Sequence, residues 1–138
     1  MIYTGEISLR TQADGEIIDI TAKVQKLLTD SGITSGIVTV FVTHSTCGIT
    51  TVEYEPGLIE DLAKAWERLA PKNIPYGHDA HWGDGNGYAH VRASLLGASL
   101  TVPFTDKKMV LGTWQQIILV DFDNRPRNRT VVVQVMGE

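Results

Sequence analysis

The stretch 115–135, QQIILVDFDNRPRNRTVVVQV, decides what kind of fold this chain can adopt. Residues Ile117 to Val120 are apolar in succession, so an extended segment there cannot turn either face to water. Such a strand belongs in the middle of a sheet, covered on both sides. TVVVQV (130–135) reads as a further strand, and NRPRNR (124–129) as an arginine-rich hairpin turn between the two.

Working outward, GIVTVFVTH (36–44) alternates with period two. Val38, Val40, Val42 and His44 share one face, and Ile37, Thr39, Phe41 and Thr43 the other. GITTVEY, YTGEISLR, GEIIDI and ASLTVPF add strands, with a hairpin-type turn at Asp14-Gly15 and a turn at TDKK (105–108). Three stretches change to helical spacing. In 19–32 the stripe is Ile20, Val24, Leu27 and Leu28, with Asp19 or Thr21 to cap it and Gly32 to end it. In 55–71 it is Leu58, Leu62, Trp66 and Leu69, opened by Pro56. In 86–97 it is Tyr88, Val91 and Leu95, with Asn86 as cap and Gly97 as stop. Strands outnumber helices and run mostly as hairpins. The expected fold is α+β: one domain over residues 1–138, mostly antiparallel sheet or sandwich, with about three helices.

Composition narrows the function classes. The 138 residues are 43% hydrophobic and 20% charged, a globular mixture, and the formal net charge of −4 gives no general attraction to nucleic acid or membrane. Yet Arg125, Arg127 and Arg129 are half of all the arginines, a local anion-attracting spot. The single cysteine, Cys47, excludes an internal disulfide and fits a reducing compartment. MIYTGEISLRTQ lacks a signal-peptide pattern, and no apolar run approaches the ~20 residues of a membrane helix. A cytoplasmic protein is expected, with neither nucleic acid nor membrane as partner.

The polar residues that can carry chemistry gather in HDAHWGDGNGYAH (78–90), which holds three of the four histidines. The remaining one, His44, follows three valines on its strand face, where a strand leaves the core. A histidine there is either satisfied by a backbone group or aimed into a cleft. His90 lies on a helix above Ser94 and Gly97, small residues that leave room for a partner. Neutral imidazoles from a strand end, a loop and a helix are a common way to assemble a catalytic zinc site, and Asp79 can orient a ring. No H-E-x-x-H or EF-hand pattern is present. GDGNG leads into a helix, whose free N–H groups favour an anion or simply end a turn. Cys47, three residues after His44, is better read as a small buried hydrophobe than as a nucleophile. Glu53 is either a base or a rim carboxylate, and the arginine turn either an anion site or a solvated tip.

Four blocks together, THSTCGIT (43–50), HDAHWGDGNGYAHVRASLLGASLTVP (78–103), LGTWQQIILVDFD (111–123) and RTVVVQVMGE (129–138), resemble the YjbQ-like family, named for secondary thiamine-phosphate synthase activity. The resemblance covers nearly the whole chain. It places the family's polar set on His44, Ser45 and Thr46, on His78 and Asp79, on His90, Arg92 and Ser94, and on Trp114 and Gln115. His81 is outside the pattern, Cys47 stands where relatives often carry alanine, and Val52-Glu53-Tyr54 replaces Asn-Glu-Asn while retaining Glu53. The resemblance implies a homotrimer with clefts near subunit boundaries, and convergence of His44, His78 and His90 around a metal ion.

The implied reaction joins a pyrimidine pyrophosphate to a thiazole phosphate and releases pyrophosphate. Gly85, Asn86 and Gly87 at the helix start, with Arg92 and Arg129, would hold phosphates. Three imidazoles favour a zinc-like ion, whereas pyrophosphate release usually pairs with magnesium. Two other readings stand beside this transferase. One is a metal-dependent hydrolase of a small phosphorylated or acyl substrate, the other a non-catalytic trimer binding metal or anion.

Overall fold

The computed structural model describes residues 1–138 and contains eight strands and four helices. In chain order these are β1 (Ile2–Thr11), β2 (Glu16–Asp19), α1 (Thr21–Ser31), β3 (Gly36–Val42), β4 (Cys47–Val52), α2 (Pro56–Leu69), α3 (Gly77–Trp82), α4 (Gly87–Leu96), β5 (Ser99–Thr105), β6 (Lys108–Met109), β7 (Gln116–Asp121) and β8 (Arg127–Gly137). The strands form a five-stranded sheet, β1-β8-β3-β5-β6, and a three-stranded sheet, β2-β7-β4, every pairing antiparallel. The α+β class and antiparallel sheets are as expected.

The apolar run in β7 explains the layering. Ile117 and Leu119 face a core shared with the five-stranded sheet and α1, where Val38, Val40, Val42, Val131, Val133 and Val135 meet Ile20, Val24 and Leu28. Ile118, Val120 and the following Phe122 face a second core under α2 and α4, made with Trp66, Tyr88, Ala89 and Ala93. β7 is therefore the doubly covered strand that its sequence predicts.

The two expected hairpin turns, at Asp14-Gly15 and in the arginine turn, are not hairpins, and neither is the β3–β4 connection. β1 pairs with β8, while β2 pairs with β7; β3 pairs with β5 and β8, while β4 pairs with β7; and β7 and β8 belong to different sheets. The turns at Asp14-Gly15, at His44–Thr46 and at Asn124–Pro126 are corners where the chain leaves one sheet for the other. These corners lie together and bond to one another. Phe122 N–H donates to Thr46 O at 3.0 Å, and Asp14 N–H to Asp123 O at 2.8 Å. The hairpin that does form is β5–β6, whose turn residues Asp106 and Lys107 have positive φ.

Helix details also depart from the pattern. Residues 77–82 form the short helix α3 instead of a loop. On α4 the buried positions are Tyr88, Ala89, Arg92 and Ala93, whereas Val91 and Leu95 face outward. Leu69 of α2 is exposed too, leaving Ile59, Leu62 and Trp66 against the core. The α1 stripe packs as read, and Gly32 ends that helix in the left-handed conformation.

Candidate functional site

Beneath the corners lies a buried charge network. Arg129 donates through Nε to Asp121 Oδ2 at 2.7 Å, and through Nη2 to Asp121 Oδ1 at 2.9 Å and Thr46 Oγ1 at 2.8 Å. It also reaches Asp123 Oδ2 at 3.3 Å, which Arg127 Nε meets at 2.6 Å. Thr11 donates to Asp121, so each of the three corners supplies a member of the network. Burial works against both ionised carboxylates. Hydrogen bonds from Arg129 and Thr11 nonetheless hold Asp121 below the usual carboxylate range, and the Asn124 N–H and Asn86 amide do the same for Asp123.

Above this floor opens a cleft of about 440 Å³ whose one apolar lining residue is Trp82. His44, Ser45 and Thr46 enter from the β3–β4 corner, His78 from α3, Asn86 and His90 from the start of α4, and Arg127 and Arg129 from β8. The rings of His78 and His90 are 4.3 Å apart, inclined at 38°. Burial, then the neighbouring His78, lowers the His90 pKa. Burial and the Arg129 charge lower that of His44. His44 Nε2 accepts the Thr130 N–H at 2.9 Å, so the neutral ring carries its proton on Nδ1 and offers a donor to the cleft.

The tightest set of metal-competent atoms is His78, Asp79 and Asp84, all within 4.8 Å of one another. His78 Nδ1 lies 3.7 Å from Asp79 Oδ1 and 3.4 Å from Asp84 Oδ1, is shielded from solvent and makes no hydrogen bond. Ligand atoms bound at roughly 2.1 Å sit about 3.0–3.4 Å apart in octahedral or tetrahedral shells, so the two His78 separations are close to those around a small divalent ion, and the set as a whole would draw together on binding one. His44 and His90 are not in this set, and the His44 Nε2 lone pair is committed to the Thr130 N–H. Asp84 went unassigned in the sequence because Asp-Gly so often marks a plain turn.

Asp79 has a second task. Its Oδ1 accepts the Gly87 N–H at 2.8 Å and so caps α4. The expected anion seat at Gly85, Asn86 and Gly87 is thus partly filled by the chain's own carboxylate. Asn86 holds the cap position, but its amide donates to Asp123 at 3.2 Å, and its Oδ1, buried at the cleft wall, has no partner.

Other expected site residues lie elsewhere. Arg92 is buried against α2, bonded to Ala70 O at 3.0 Å and Glu67 Oε2 at 2.7 Å, so no free guanidinium remains for phosphate in the cleft. Ser94 is exposed and donates to His90 O, one turn back along α4. Glu53 follows the end of β4 farther from His44, where Gln115 bonds Thr51 and Gly112, and Trp114 is 70% exposed. His81 packs edge-on against Trp82 and does not itself line the cleft. Cys47 is buried, and its thiol is pushed up to about 12 by desolvation and by Asp121, which argues against a nucleophilic role. Asp121 and Asp123 carry much of the site yet have no place among the residues read from the sequence, and Arg127 enters there only as part of the arginine turn. Their signal was available: acidic residues two apart at a strand end, answered by arginines two apart at the next strand start.

A model of the family "UPF0047 protein YjbQ-like" matches residues 5–138. The chain belongs to this family. A UPF0047 protein of Methanothermobacter thermautotrophicus is 44% identical over 137 residues, covering 99% of this chain and 94% of its own. The UPF0047 protein YugU of Bacillus subtilis is 36% identical, covering 95% and 97%. Crystal structures of relatives superpose closely. A YbjQ-like protein of unknown function from Sulfolobus solfataricus has a TM-score of 0.89 at 33% identity, covering all of both chains. A hypothetical protein from Aeropyrum pernix has a TM-score of 0.91 at 32% identity, covering 99% of each. The YjbQ-like fold thus extends over the whole chain, with sheet corners and histidines at one end. No helix is long and apolar enough to cross a membrane.

Proposed function

We propose that the cleft is the active site of a transferase for small phosphorylated molecules, with thiamine-phosphate synthase chemistry as the leading reaction. One observation carries the reading: a single polar cleft sets His78 and Asp84 of the metal-competent set together with Arg127, whose terminal nitrogens are unbonded, over the buried, carboxylate-paired Arg129. A diphosphate ester needs charge answered from two directions, and this cleft provides both.

His78, Asp79 and Asp84 would hold a divalent cation, which when bound neutralises charge on the diphosphate. A mixed imidazole–carboxylate set suits zinc- or manganese-like ions and admits magnesium, easing the mismatch of three imidazoles with pyrophosphate chemistry. Arg127 spends Nε on Asp123, leaving its terminal nitrogens for phosphate oxygens. His44 donates from Nδ1. In the transfer, the C–O bond between the pyrimidine methylene and pyrophosphate breaks with its electron pair leaving on oxygen. The thiazole nitrogen lone pair then forms the new C–N bond. The bound diphosphate raises the proton affinity of His90 from its lowered value, so the ring can take a proton from solvent on binding and give it to the pyrophosphate oxygen as the C–O bond breaks.

A homotrimer would serve this site. Glu53, Trp114 and Gln115 sit away from their own cleft, where they can complete a neighbour's. The outer face of the five-stranded sheet, with Phe41 44% exposed and Met136 46%, supplies apolar area for contact.

The cleft is open and nearly without apolar walls, which favours a second reading, hydrolysis of a phosphorylated substrate by water. Incubation with both precursors and a divalent ion decides between them. The proposal expects thiamine phosphate and pyrophosphate in equal amounts, at least 100-fold less in His78→Ala. Hydrolysis of the pyrophosphate ester alone selects the second reading. No conversion of either precursor removes the transferase.

A further inference from the structure

We infer that the arginine turn forms a second phosphate subsite, separated from the histidine cleft only by a shared wall, so that the ligands of this protein present two distinct phosphate groups. The subsite is a depression of about 450 Å³ on the other side of His44 and Arg127, and no apolar or acidic side chain apart from Pro126 interrupts its polar lining of Arg10, Arg125, Arg127, Asn128 and Arg129. Both hollows share His44, Arg127 and Arg129.

Charge bookkeeping distinguishes it from an ordinary solvated turn. Asp121 and Asp123 answer Arg129 and Arg127 from below, but Arg10 and Arg125 form no ion pair. Four guanidiniums less two carboxylates leave a local excess of two positive charges on a chain whose net charge is −4. Arg10 is steered toward the turn by its β1–β8 register opposite Asn128, to whose Oδ1 it donates at 3.3 Å. The forks of Arg10 and Arg125, with the terminal nitrogens that Arg127 leaves unbonded, match a tetrahedral phosphate dianion rather than a metal or an apolar group. The inference rests on the transferase reading when it assigns the occupants: the diphosphate group lies in the histidine cleft, and the phosphate ester of the acceptor in the arginine hollow.

Titration of metal-free protein with inorganic phosphate at low ionic strength, followed by calorimetry, tests the subsite by itself. Wild type should bind, His78→Ala should match it, and the double variant Arg10→Gln/Arg125→Gln should bind at least tenfold more weakly with an unchanged thermal melt. Both arginines are exposed and unpaired by carboxylates, so the fold should tolerate their loss. Unchanged affinity in the double variant overturns the inference, as does absence of binding by wild type at millimolar phosphate or an equal loss in His78→Ala. Failure of the two precursors to react would sink the transferase and leave a positive phosphate titration standing.

Discussion

Arg129 is 3% exposed, and every carboxylate that answers it is buried as well. Removing such a cation strands Asp121 in the interior, so Arg129→Met should cost about 3–5 kcal/mol in urea unfolding. Arg127→Met should cost under ~1 kcal/mol, since Asp123 keeps its bonds from Thr46, Asn86 and Arg129. The network also sets acid behaviour. The folded pKa of both Asp121 and Asp123 lies below the ordinary value of 3.8, so their contribution is complete above that value. It is lost as pH falls through the folded values, because the unfolded chain then binds protons first. Urea midpoints should therefore drop steeply below about pH 4, and Asp121→Asn should be less stable at pH 7 with a flatter acid limb. Cys47 should resist thiol reagents at pH 8 in the native protein and react on unfolding.

Among the elements, periodicity was legible wherever a segment was long and half-buried. The alternation in β3, the unbroken apolar run in β7 and the α1 stripe all pack as their spacing predicts. Turns carried less information. Asp14-Gly15 has hairpin chemistry, yet the strands on either side pair with β8 and β7, partners 99 or more residues away in sequence. Local composition cannot tell a hairpin from a corner between sheets when the deciding contacts are that distant. α3 spans six residues, too few to show a period. The exposed face of α4 was misassigned because Arg92 is buried through Glu67 and Ala70, partners on another helix. The α3–α4 junction gives its own prediction. A Cβ at Gly87 would lie 2.6 Å from the Tyr76 Cβ and 3.1 Å from Asp79 Oδ1. Gly87→Ala should destabilise by about 1–3 kcal/mol through overpacking, and Asp79→Ala by about 0.5–2 kcal/mol through loss of the cap. Thermal melts monitored at the helix signal would show either change.

At the level of the molecule, three sheet corners meet at one end, and the β3–β4 and β7–β8 corners supply one side of the cleft while α3 and α4 supply the other. That end collects charge because backbone leaving a sheet must find new partners, and here side chains of Thr11, Thr46, Asp121 and Asp123 hold the corners together. The histidines were readable as candidates because they stand at element ends beside small residues. Which of their nitrogens face one another was not, since that depends on the Thr130 N–H that engages His44 and on the Asp84 carboxylate that approaches His78. On the proposed reading, a divalent ion is held by His78, Asp79 and Asp84 beside the arginines. Calorimetric titration of metal-free protein with manganese tests it most directly, using wild type, His78→Ala, Asp84→Ala and His44→Ala. Wild type and His44→Ala should each bind one ion per chain, with affinity down at least tenfold in the other two. Binding that vanishes with His44 and ignores Asp84 would contradict this reading.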